Sequence, residues 1–147
     1  MGTKRKRHRP SAKGPKHDVA KRWTSKLAQD GFTPVVAVFL ENYARLKPPL
    51  TTPEAMLVIH LMSFKWSEEM PWPAFKTLSK RMGISATAVR NHARNLDVRK
   101  KYLIRHPRVG LPNRFDLRPL FEALEIAQAE EHRRKEEKEK QARRPGS

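Results

Sequence analysis

Thr87, Arg90, Asn91 and Arg94 recur at the spacing of one helix face, with Ser85 and Ala86 just ahead of them. The chemistry of this set is hydrogen bonding to flat, edge-presented groups, not bond making. A guanidinium offers a fork of donors that matches O6 and N7 of guanine. A carboxamide matches N6 and N7 of adenine, and alanine or threonine methyls suit the thymine methyl. No carboxylate interrupts this face before Asp97. Groups of other chemistry are scarce. The six histidines show no metal-ligand spacing, no glycine-rich phosphate loop is present, and no Ser/His/Asp set sits in a recognisable motif. The chain is therefore expected to be no enzyme, with no catalytic residue, no metal and no cofactor. His60 and His92 read as packed or hydrogen-bonded side chains.

The elements that must hold this face are two short helices and a corner. A helix is expected from about Ala74 to Met82, with Phe75, Leu78 and Met82 inward. A second runs from about Ala86 to Asp97, with Val89, Ala93 and Leu96 inward at i, i+4 and i+7. Ser79 is small where the helices cross. Gly83 closes the first helix in a left-handed conformation that other residues adopt with strain. Ile84 plugs the corner, and Ser85 caps the second helix. Together these make a helix-turn-helix; the plainer alternative is a tight helical corner in some other fold.

Around it lie further elements. Phe32–Phe39 reads as a short strand or turn passing into a helix whose face is Val36, Leu40, Tyr43 and Leu46. Thr51-Thr52-Pro53-Glu54 starts the next helix with a cap, a first-turn proline and an acid near the positive end. That helix is apolar over most of its surface and so is central to the core. Pro71-Trp72-Pro73 allows only a short extended piece. Tyr102–His106 and Arg114–Leu117 read as strands joined by the turn-rich Pro107–Asn113 segment. A last helix starts near Pro119. Beyond Ala129 its apolar stripe stops, leaving a solvated helix or a disordered tail. Trp23, Trp66 and Trp72 read as core or capping aromatics rather than as stacking platforms, with Trp23 the open case.

Charge points the same way as the helix face. Lys and Arg number 32 against 15 Asp and Glu, a net charge of +17 over 147 residues. Such an excess favours a polyanionic partner, namely DNA, RNA or an acidic membrane surface. Met1–Lys26 holds ten Lys or Arg against one Asp, and is too polar to offset its own ordering entropy. Its run Lys4, Arg5, Lys6, Arg7 and Arg9 suits phosphates or a minor groove. The absence of cysteine excludes disulfides and thiolate metal sites. No apolar run approaches the roughly 18 residues of a membrane span, so no membrane partner is expected. The organisation read from all this is a disordered basic arm over 1–29, a folded domain over 30–125 and a charged helical or disordered tail over 126–147.

The Leu78…Gly83-Ile-Ser…Val89-Arg pattern, the Thr52-Pro-Glu-Ala-Met-Leu helix, the Trp72-Pro strand start and the ending Asn113-Arg-Phe-Asp-Leu-Arg-Pro-Leu-Phe121 resemble one known family. It is that of the bacterial winged helix-turn-helix proteins of phage, plasmid and integrative-element replication and regulation. The resemblance covers roughly Phe32–Leu124. It implies a mainly α fold with a small β-hairpin wing, a recognition helix in the major groove, and a wing near the adjacent backbone. Carried onto this chain, the wing and backbone contacts are Lys76, Arg105, Arg108 and Arg114. Two departures stand out. Asp97–Tyr102 has no glycine where similar proteins usually have one, and Ala74 stands where a capping serine is common. The function implied is sequence-specific binding of double-stranded DNA, as a transcriptional regulator or replication-initiation factor. The setting expected is the cytoplasm, on the nucleoid, with homodimerisation and a replication or transcription protein as further partners. Two other classes remain beside it: an RNA- or ribosome-associated basic protein, and a winged-helix module that docks a protein.

Overall fold

The computed structural model describes residues 18–145. The arm residues Lys4, Arg5, Lys6, Arg7 and Arg9 lie outside the described residues. The chain divides into two compact units, 1–34 and 35–147. In the first, Asp18 accepts from Ala20 N–H to start α1 (Val19–Arg22), and Thr24 accepts from Leu27 N–H to start α2 (Ser25–Ala28). Trp23 and Leu27 are exposed.

The second unit is built on α4 (Thr52–Ser63), which buries Leu57 and Leu61 completely. Each such leucine contributes about 2 kcal/mol by leaving water. The expected start is present in full. Thr51 Oγ1 accepts from Glu54 N–H, and the Glu54 carboxylate accepts in return from Thr51 N–H at 2.9 Å. Against α4 pack α5 (Phe75–Met82) and α6 (Ala86–Arg94). Leu78, Val89, Ala93 and Leu96, all fully buried, fill the space between them.

The preceding helix, α3 (Ala37–Asn42), turns inward a face shifted from the expected one. Of the expected residues Leu46 is buried and Tyr43 packs against the core, but Val36 and Leu40 are exposed and Phe39 and Asn42 are buried in their stead. The reason is area: Phe39, stacked on Tyr43 with ring centroids 5.6 Å apart, withdraws more apolar surface than either aliphatic residue. Asn42 follows inward and donates from Nδ2 to Val38 O at 2.9 Å, which satisfies its amide.

α6 ends at Arg94 and runs into a single π-helical turn, Asn95–Arg99. Lys101 then takes φ +62°, the left-handed position for which the sequence offers no glycine. β1 (Ile104–Arg108) and β2 (Leu111–Asp116) pair antiparallel, with Ile104 opposite Asp116, Arg105 opposite Phe115 and His106 opposite Arg114. β1 lies two residues later than expected, β2 is longer, and the turn is tighter, since Val109-Gly110 alone joins them and Gly110 has φ +68°. Pro107 fits inside β1 because the register shifts between His106 and Arg108, so its missing N–H breaks no regular ladder. Phe115 N–H donates to Pro71 O at 2.9 Å, which places the Pro71-Trp72-Pro73 piece beside β2.

α7 (Arg118–Ala142) closes the unit and packs Leu120 and Leu124 into the core, partly against α3. It is one helix of 25 residues, so the boundary placed between 125 and 126 falls inside a continuous element. The tryptophans differ from expectation: Trp66 is 80% and Trp72 55% exposed. Prolines on both sides of Trp72 and the Ser67-Glu68-Glu69 turn after Trp66 hold these rings outside the core.

Candidate nucleic-acid interface

The corner between α5 and α6 is assembled by local chemistry. Gly83 adopts φ +70° and donates its N–H to Ser79 O at 2.9 Å, ending α5. The Ser79 hydroxyl donates to Ile84 O at 2.5 Å, so this position is a tie across the corner as well as a small residue at a crossing. Ser85 Oγ accepts from Ala88 N–H at 3.0 Å and opens α6. Ala74 caps nothing with its side chain, as its methyl dictates.

With Val89 and Ala93 buried beneath, the opposite face of α6 presents Thr87, Arg90, Asn91 and Arg94, all exposed; Ser85 is exposed and Ala86 half-buried. The Arg90 guanidinium lies 5.2 Å from the Phe75 ring centroid, which braces it from α5 and leaves it open to solvent. Lys76 is exposed on α5, and so is Lys80 one turn on, at a spacing that could have flagged it beside Lys76 in the sequence. Arg81 sits over the Phe64 ring at 4.5 Å and donates to Ser63 Oγ at 3.4 Å.

The wing is only partly available. Strand alternation sets Arg105 across from the buried Phe115, and its Nε donates to Asp97 at 2.9 Å. Arg108 stacks over Trp72 at 5.5 Å and its Nε donates to Pro112 O at 2.9 Å, while its Nη2 has no partner. Both were expected to reach outward; the protein itself holds them. Arg114 is exposed, opposite the exposed His106. No spacing rule in the sequence points to His106 as its neighbour.

The far end of α6 is anchored through long-range contacts. Lys100 Nζ reaches the Glu54 carboxylate at 2.5 Å and Pro49 O at 2.8 Å, and the Tyr102 hydroxyl donates to Pro48 O at 2.6 Å. Glu54 is 1% exposed, so the residue that caps α4 also ties the π turn to it. Burial raises the Tyr102 phenol above its usual range. His60 is held below the usual imidazole range, first by burial and then by Arg81. At the base of the wing Asp116 is buried. Hydrogen bonds from Arg118 hold its carboxyl below the usual carboxylate range, against the opposing effect of burial.

Among the described residues no cluster of His, Cys, Asp or Glu is arranged to hold a metal ion, and no helix is long and apolar enough to cross a membrane. No curated protein and no solved structure matches the chain. The family model of the DnaD N-terminal domain, associated with DNA replication and a winged-helix-like fold, matches residues 35–137. That span runs from the approach to α3, through the helix-turn-helix and the hairpin, into the last turns of α7, and the chain belongs to the DnaD N-terminal domain family.

Proposed function

We propose that this chain binds double-stranded DNA in a sequence-specific way, with α6 in the major groove, as a non-catalytic factor of a replication system. The observation that carries the reading is the segregation of charge on the helix-turn-helix. From Phe75 to Leu96 there is no carboxylate, and Lys76, Lys80, Arg81, Arg90 and Arg94 are all exposed. Cations on α5 and at the end of α6 suit phosphates and fix register, while Thr87, Arg90 and Asn91 suit base edges. The wing has a smaller part in this reading, carried by Arg114. The setting is the cytoplasm, on the nucleoid. Two copies on neighbouring half-sites about 34–36 Å apart would fit the usual geometry of such domains. Replication is favoured over transcription regulation by the family; a phage, plasmid or integrative-element setting rests on the resemblance of the Asn113–Phe121 ending alone.

The test is selection of bound duplexes from a random pool at near-physiological salt with the full chain, followed by affinity measurements on the selected site. Arg94→Ala, which removes a side chain that makes no hydrogen bond, ion pair or ring contact among the described residues, and Arg90→Ala each cost about 1–3 kcal/mol on that site and little on unrelated duplexes. About five phosphate contacts give a log–log salt slope near −4.5. Equal losses on every duplex reduce the reading to non-specific binding. Retained RNA binding with no duplex binding replaces it with the RNA-associated alternative.

A further inference from the structure

Beside the helix-turn-helix, the Phe64–Ala74 segment and the edge of the wing enclose two adjoining open cavities of about 700 and 570 Å³, which share Glu69, Met70 and Trp72. The smaller is walled by Phe64, Trp66, Met70, Trp72, Pro73 and Pro112, and Glu69 is its one charged lining residue. This is an unusual surface on a protein of net charge +17. Two indoles stand in water, and the Trp72 ring is braced by the Arg108 guanidinium. Glu68 and Glu69 are exposed and form no ion pair among the described residues. Nearby Lys65 is turned to the backbone, donating to Ser67 O at 2.6 Å.

The chemistry selects among occupants. The larger cavity is lined by Lys65, Arg114 and Arg118 as well as by Glu68, Glu69 and Asp116 and has no charge preference. In the smaller one the lone Glu69 carboxylate repels phosphates and attracts a cationic segment, so a nucleic-acid strand is disfavoured there although the indoles could stack on bases. A β-strand gains little by adding here, because Pro71 and Pro73 have no N–H to donate and Pro71 O already accepts from Phe115. An amphipathic helix needs a continuous apolar trench, and Glu69 interrupts this one. A polyproline II segment needs neither main-chain pairing nor a long trench. Its rings lie against flat aromatic walls, and its conformation is ordered before binding. A Lys or Arg beside the prolines would then meet Glu69.

We propose that this groove docks a proline-rich, basic segment of a partner protein. The groove borders the cationic surface, since Thr77 of α5 and Arg114 of the wing are among its lining residues. The inference does not depend on the DNA reading.

The test pans the full chain against a peptide library with a fixed Pro-x-x-Pro core and random flanks. Enrichment of Lys and Arg beside the core is expected. The best peptide, labelled for anisotropy, should bind at least tenfold more weakly to Trp66→Ala and to Glu69→Gln. Trp66 is exposed and Glu69 unpaired, so both variants should keep the parent's thermal melt and duplex affinity. Arg90→Ala should keep peptide binding, which separates failure here from failure of the DNA reading. Enrichment equal to that of a Trp66→Ala control, or no preference for basic flanks, overturns the proposal. Binding of a thymidine oligonucleotide that Trp66→Ala abolishes, with no peptide bound, overturns it in favour of a single-strand stacking platform.

Discussion

Replacing Glu54 by alanine should unfold more of this protein than its surface-like residue type suggests. The side chain is 1% exposed and accepts from two directions: Thr51 N–H at 2.9 Å and Lys100 Nζ at 2.5 Å. Loss of the reciprocal cap at α4 costs about 1 kcal/mol. Breaking a fully buried ion pair costs about 3–5 kcal/mol. Here the Lys100 side chain is 18% exposed and keeps Pro49 O as an acceptor, so about 2 kcal/mol is the appropriate share. Together these give about 3 kcal/mol, a factor of roughly 150 in the folding equilibrium. Urea unfolding followed by circular dichroism measures it, with an unchanged slope indicating a loss of stability alone. A double-mutant cycle of Glu54→Gln and Lys100→Met isolates the pair, and a coupling of about 1–3 kcal/mol is expected. Single effects that add to within about 0.3 kcal/mol, or a Glu54→Ala cost under about 1 kcal/mol, would refute the claim that this contact holds the end of α6 against α4.

Three further outcomes follow from the same geometry. Lys101 holds φ +62°, so Lys101→Gly should raise stability by about 0.5–1 kcal/mol through relief of left-handed strain, and an unchanged or lowered melting temperature refutes the assignment. Arg118 holds the Asp116 carboxyl below its usual range, so the folded state binds that proton less readily than the unfolded state. The stabilisation is complete above the ordinary aspartate value of about 3.9 and is lost as pH falls through the lowered folded value. Asp116→Asn should thus be the less stable protein at neutral pH, with the gap narrowing in acid; parallel stability profiles argue against it. Arg114→Ala should weaken binding evenly across duplexes and reduce the salt slope by about 1. Arg105→Ala, which loses only an ion pair with Asp97, should leave that slope unchanged.

Much of the candidate site is legible along the chain because the forces that shape it are local. Gly83, the Ser85 cap and the spacing of Leu78, Val89, Ala93 and Leu96 specify two helices and a corner within some twenty residues. Once the apolar side is buried, Thr87, Arg90, Asn91 and Arg94 have only the solvent side left. The capping box of Thr51 and Glu54 is equally local. Other features depend on which distant surfaces meet. Phe39 takes the place of Val36 and Leu40 in the core of a unit in which α3 packs against the distant α7. Arg105 and Arg108 look like free cations until hairpin register and the Trp72 ring occupy them.

By itself, then, the amino-acid order determined the two helices of the corner, the caps at Thr51 and Ser85 and the outward side of α6, since hydrogen bonds and side-chain periodicity over a few residues decide those. Tertiary structure alone decided which cations stay available, which tryptophans stand in water, and how α6 is moored. Those outcomes rest on contacts such as Lys100 with Glu54 and Tyr102 with Pro48, across 46 and 54 residues of chain, and separations of that length carry no periodic signal.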